Sequence, residues 1–348
     1  MAPLDSADFA NIHRGKVAVI TGVGAGLGRE YASKLVHLCT AIVVNDVGHR
    51  VDGTGASDSP AQQVVDEIIA RGGKAVANKS SVADWHGAQS ITDTAVSTFG
   101  QLDTVVNNAG IDRPSSLVDL AEADVDLELG VRLKGTLAVS HSAAAHWTEV
   151  DPSRNRAIIN TTSSAGLHPM AGSGIDGAAK AGIAALTLSH AQELARLGVH
   201  VNAVAPCART RMVLNSPAVA ALMPTSDNFD RHTPDHVAPL VAYLTSHLCH
   251  FTGRVFAIEG PDVAIYGPAA VVGEWKTETQ WTLSELAQAL SAAPNQISSR
   301  GFFPGGSVQH NVPSGPTPKS LEEVGEQILW DGWLATISTA RTREFLGH

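Results

Sequence analysis

The residues best suited to bind a charged ligand are Thr21-Gly22-Val23-Gly24-Ala25-Gly26-Leu27-Gly28. Glycines at this density let a chain turn tightly and let its backbone approach a diphosphate closely. An apolar, β-branched run at 16–21 precedes them, and a helical stretch at 27–38 follows. A helix starting there turns free N–H groups and the positive end of its dipole toward phosphates. That strand-before, helix-after context reads as a phosphate loop rather than a plain turn. Asp46 closes the next apolar run. A carboxylate there accepts hydrogen bonds from both adenosine ribose hydroxyls and repels a 2′-phosphate, which implies NAD rather than NADP.

The elements that must position these residues alternate regularly. Strands are expected at 16–21, 41–46, 74–78, 102–107, 157–161, 199–204 and 255–258. Helices are expected between them, over 62–70, 84–99, 122–147, 174–197 and 234–246. Such βαβ alternation predicts a doubly wound α/β fold, a seven-stranded parallel sheet with helices on both faces. The spacing gives one nucleotide-binding domain over 12–262. A C-terminal extension over 263–348 carries a Pro/Gly/Ser-rich loop at 292–318. Two helices flank that loop. One starts at Thr282 with Glu285 and one at Ser320 with Glu323, both at capping-box spacing. The extension is expected to pack on the main domain or on another subunit.

Composition narrows the function classes. A net charge of −10 without clustered Lys and Arg excludes a nucleic-acid footprint. No apolar run is long enough for a membrane helix, and residues 1–11 lack a secretory pattern. Three widely spaced cysteines, Cys39, Cys207 and Cys249, suggest neither a disulfide framework nor a metal cluster, so the cytoplasm is the expected setting. His247 and His250 beside Cys249 form no complete ligand set, and no metal is expected.

The glycine loop, together with Asn107-Asn108-Ala109-Gly110 after the fourth strand, resembles the short-chain dehydrogenase/reductase superfamily. The resemblance covers about residues 12–262. Val44-Asn45-Asp46, residues 71–78 and residues 205–212 resemble more narrowly the dehydrogenase part of the peroxisomal multifunctional enzymes (type 2) and their bacterial relatives. That group oxidises 3-hydroxyacyl thioesters or hydroxysteroids with NAD, which implies lipid or steroid metabolism. The resemblance implies that Thr21, Gly22, Gly26, Leu27 and Gly28 hold the pyrophosphate and Asp46 the ribose. It implies that Ser81, Val82, Asn108, Ala109 and Gly110 wall the adenine side, and that Lys180 binds the nicotinamide ribose. Pro206 and Thr210 stand where the family contacts the carboxamide. It also implies a small-molecule substrate and a homo-oligomer, dimer or tetramer, formed through the helices at 122–147 and 174–197.

The family's catalytic set is a serine, a tyrosine and a lysine. Ser163 and Lys180 match, but the tyrosine position holds Asp176 and a further asparagine position holds Arg132. A phenol beside an ammonium exchanges a proton near neutral pH. An aspartate one helical turn from Lys180 is expected instead as a carboxylate paired with that ammonium. Three readings stay open: oxidation with Asp176 as base, helped by His168; an NAD-binding subunit without turnover beside an active relative; and non-redox lyase or hydratase chemistry.

Overall fold

Strands of unbroken apolar character need cover on both faces, and alternate residues of the first strand show that cover. In β1 (Val17–Thr21), Ala18 and Ile20 join one buried cluster while Val17 and Val19 join another. The computed structural model describes residues 11–55, 60–152, 154–169, 172–215, 217–267, 274–278, 280–291, 298–300 and 307–309. After β1 come α1 (Gly26–His37), β2 (Ala41–Asn45), α2 (Pro60–Ala70), β3 (Lys74–Asn78), α3 (Trp85–Phe99) and β4 (Thr104–Asn107). Then follow α4 (Glu122–Leu129), a π-turn (Gly130–Lys134), α5 (Gly135–Thr148), β5 (Arg156–Thr161), α6 (Gly174–Glu193) and β6 (Val199–Cys207). The sheet is completed by α7 (Ala238–Leu244), β7 (Arg254–Glu259) and β8 (Asp262–Tyr266).

The strand order is β3-β2-β1-β4-β5-β6-β7-β8. The seven expected parallel strands are joined by an eighth, β8, which runs antiparallel to β7 at the edge. A tight Gly260 turn at positive φ makes that hairpin possible, and β8 leaves Val263 and Ile265 exposed. The half-exposed strand carries too little continuous apolar pattern to be read from sequence as a covered strand. The chain reverses its progress across the sheet between β1 and β4. This opens a crevice at the carboxyl ends of the strands, where ligands of such sheets bind.

The helix expected over 122–147 is present but interrupted by the π-turn, whose wider winding turns Arg132 into the interior. Wider turns of this kind gather at functional sites. Of the extension, α8 (Leu283–Leu290) is described, and Thr282 and Glu285 close the expected capping box. None of its residues is buried. The helix expected from Ser320 lies outside the described residues, as does most of the Pro/Gly/Ser-rich loop. Among the described residues, no helix is long and apolar enough to cross a membrane.

Candidate active site

The glycine loop is locked from behind. Thr21 Oγ1 accepts hydrogen bonds from the backbone N–H groups of Asn108 and Ala109, each at 3.0 Å. Asn108 Nδ2 donates to the carbonyls of Thr21 and Gly22, also at 3.0 Å. The turn after β4 thus clamps the turn after β1. The glycines are steric requirements here. A Cβ on Gly28 would lie 2.3 Å from the Gly22 carbonyl oxygen, and one on Gly22 would lie 2.8 Å from Ala109 Cα.

Asp46 follows β2 and its carboxylate is tied at both oxygens. Oδ2 accepts from Gly24 N and Oδ1 from Gly48 N, each at 2.7 Å. A carboxylate oxygen has two acceptor sites, so each retains one for a ribose hydroxyl. A cleft of about 980 Å³ runs from this loop along the strand ends. Gly22, Gly26, Leu27, Asp46, Ser81, Val82, Asn108, Ala109, Gly110, Pro206 and Thr210 all line it. Thr21 and Gly28 do not line it. They shape the loop from behind, because their positions are filled by the close packing just described.

Ser163, Asp176 and Lys180 line the same cleft. Ser163 caps the one-turn helix Ser164–Leu167. Its Oγ accepts from Ala165 N at 2.9 Å, which leaves the hydroxyl proton free to donate elsewhere. That turn packs against α6 so closely that a Cβ on Gly166 would lie 2.4 Å from Ala181 N. Lys180 is buried and donates to the Thr161 carbonyl at 2.7 Å, while Thr162 Oγ1 donates back to the Lys180 carbonyl at 2.7 Å. Burial, and then the charge of Arg132, lower the Lys180 ammonium to about 7.

The expected Lys180–Asp176 pair is therefore not the main contact of Asp176. The guanidinium of Arg132 stands 3.0 Å from Asp176 Oδ1. Arg132 also reaches Glu128 Oε1 at 3.1 Å and Asp112 Oδ1 at 3.5 Å, and it donates from Nε to the Ile111 carbonyl at 2.7 Å. Its delocalised fork meets three carboxylates, which a lysine's single point charge cannot do. Burial raises Glu128 to about 7 against the pull of Arg132, and burial likewise raises Asp112. The Asp176 Oδ1 atom lies out of solvent against the Arg132 guanidinium.

Sequence reasoning noted Arg132 without giving it a role and passed over Glu128 and Asp112. One signal was available: Glu128 and Arg132 have the i, i+4 spacing of a helical ion pair. His168 lines the cleft instead of facing solvent, and its ring lies 5.5 Å from that of Tyr266 on β8. Cys207 also lines the cleft. Its thiol is pushed up to about 12 by burial and by Glu259, so on its own it stays protonated.

Known proteins match this architecture. The family model for short chain dehydrogenase matches residues 16–218. A hydroxyacyl-CoA dehydrogenase, ChsB1, of Mycobacterium tuberculosis is 37% identical over 291 residues, 79% of this chain and 87% of that protein. The peroxisomal multifunctional enzyme type 2 of Drosophila melanogaster is 40% identical over 250 residues, 72% of this chain but 40% of that much longer enzyme. The crystal structure of a short chain dehydrogenase from Mycobacterium avium superposes with a TM-score of 0.71 at 40% identity, covering 80% of this chain and 96% of that one. With sheet order, glycine loop and crevice in agreement, this chain belongs to the short-chain dehydrogenase/reductase family.

Proposed function

We propose that the chain oxidises a secondary alcohol, a 3-hydroxyacyl thioester or a hydroxysteroid, with NAD, and that Asp176 receives the alcohol proton. The observation that carries this reading is the partly exposed carboxylate of Asp176, which lines the same cleft as the Ser163 hydroxyl. A carboxylate and a hydroxyl on one cleft can receive and orient the proton of an alcohol bound there. Ser163 donates its free proton to the same substrate oxygen and orients it. Arg132 holds the Asp176 carboxylate in position. The glycine cradle and the twice-tied Asp46 fit a dinucleotide, which when bound supplies the hydride acceptor. Lys180, which lines the cleft, would hold the nicotinamide ribose and pass the proton outward.

Two outcomes are expected. Asp46→Asn removes a charged acceptor and lowers NAD affinity by about 10–150-fold, the equivalent of about 1.5–3 kcal/mol for a charge-assisted bond. Calorimetric titration with NAD and NADP reads this directly. Tighter binding of NADP to the unaltered protein sinks the NAD assignment. The second outcome is a pH profile. As Lys180 loses its proton near pH 7, it becomes able to accept one, so oxidation speeds up with an inflection near 7. In Lys180→Met that inflection disappears. A flat profile in the parent protein between pH 6 and 8 removes Lys180 from the relay.

The same ion pair also favours a second reading, in which Asp176, already satisfied by Arg132, leaves a cofactor-binding subunit without turnover beside an active relative. In either case we read the chain as a homo-oligomer through α5 and α6, whose Leu137 and Leu188 are exposed. Sedimentation checks this reading.

A further inference from the structure

Beside the cleft, but outside the machinery described above, three donors of different chemistry converge. Cys207 and Glu259 are register partners at the carboxyl ends of β6 and β7, so their side chains stand on the same face of the sheet. His232 arrives from the loop before α7. Its carbonyl accepts from Arg209 N at 2.6 Å, and its own N–H donates to Asp230 Oδ1 at 3.1 Å. All three residues are buried, and one ligand atom from each lies within 4.8 Å of the others.

The imidazole is the informative member. Its Nε2 faces Glu259 Oε1 at 3.2 Å, close enough for both atoms to be ligands of one ion. A ring bound through Nε2 carries its proton on Nδ1, a buried atom with no partner among the described residues. A thiol, an imidazole and a carboxylate are the sulfur, nitrogen and oxygen donors that zinc takes, usually completed to four by a further ligand. Arg231 also contacts Glu259 Oε1, at 3.2 Å. A carboxylate with two oxygens serves both a guanidinium and a cation.

We propose that Cys207, His232 and Glu259 form a site for one thiophilic divalent cation, zinc by preference, with water in the fourth position. Binding replaces the thiol proton of Cys207, which leaves to solvent as a sulfur–metal bond forms. The ion ties the ends of β6 and β7 to the loop at 230–233 and stiffens the wall that carries Pro206.

Titration of the full-length protein with Co²⁺ tests this. One Co²⁺ per chain is expected, with a thiolate-to-metal charge-transfer band that Zn²⁺ abolishes by displacement. Cys207→Ala loses the band. His232→Gln and Glu259→Gln each weaken binding by at least about tenfold, a change no smaller than the loss of an outer-sphere partner brings. The band survives in the Cys39→Ser, Cys249→Ser double variant. X-ray absorption of the zinc-loaded parent protein, which needs no variant, shows one sulfur among light-atom ligands. No stoichiometric binding, a band that persists in Cys207→Ala, or a zinc shell without sulfur overturns the site.

Discussion

Turnover is expected to fall by about 10²–10⁴-fold when Asp176 becomes asparagine, the range a positioned general base supplies. The substitution preserves shape and leaves an amide able to face Arg132, but it removes the anion that takes the alcohol proton. Cofactor affinity should be unchanged, because Asp46 is held by Gly24 and Gly48 and Asp176 by Arg132, with no shared partner. Stopped-flow measurement of NADH formation from a panel of 3-hydroxyacyl thioesters and hydroxysteroids reads the rate, and calorimetry reads the cofactor. A variant as fast as its parent would remove Asp176 from the chemistry. An inert parent would favour the subunit reading. Asp176→Tyr is then the decisive gain-of-function test. Its ring must fit where the guanidinium now stands 3.0 Å from the carboxylate. We therefore expect any gain to need Arg132→Asn as well, because the phenol ring and the guanidinium compete for the same space.

Arg132→Met should destabilise the protein by about 3–5 kcal/mol, the cost of breaking a buried ion pair from one side. For a domain of this size that corresponds to a melting temperature lower by roughly 6–20 °C. The loss comes from Glu128, Asp112 and Asp176, which keep their burial and lose their common cation. It should also depend on pH. Glu128 already titrates near 7 in the folded chain, above its ordinary value near 4.5, and without Arg132 it moves higher. An acid raised on folding binds its proton more tightly in the native state, so stability falls as pH rises from the unfolded value toward the folded one. The variant should therefore lose more relative to its parent at pH 8 than at pH 5.5. Arg132→Lys should recover little, since one ammonium cannot span three carboxylates. Thermal melts of the three proteins at both pH values check this. An equal loss at the two pH values would mean that Glu128 does not titrate in response to Arg132.

Legibility followed the range of the contacts. The glycine loop was readable because its glycines, the strand before it and the helix after it are contiguous. Asp46 was readable because a strand end in a parallel sheet has a fixed relation to the loop beside it. Seven strands stood out because buried parallel strands are continuous apolar runs. The eighth did not, because β8 is half exposed and is created by the turn at Gly260 rather than by its own pattern.

The catalytic end was harder to read because its contacts cross elements. One-turn spacing on α6 points Asp176 toward Lys180, but the Thr161 carbonyl at the end of β5 takes the ammonium instead. Arg132 reaches Asp176 through a π-turn that no residue pattern announces, and Cys207 meets Glu259 only through strand register. By itself the sequence determined the fold, the glycine loop and the absence of a tyrosine between Ser163 and Lys180. Only the tertiary structure decided what holds the residue in that tyrosine's place, an aspartate set against a buried guanidinium. The physical reason is that backbone chemistry is written locally, whereas the pairing of buried charges is settled by which side chains the packed elements leave within reach of one another.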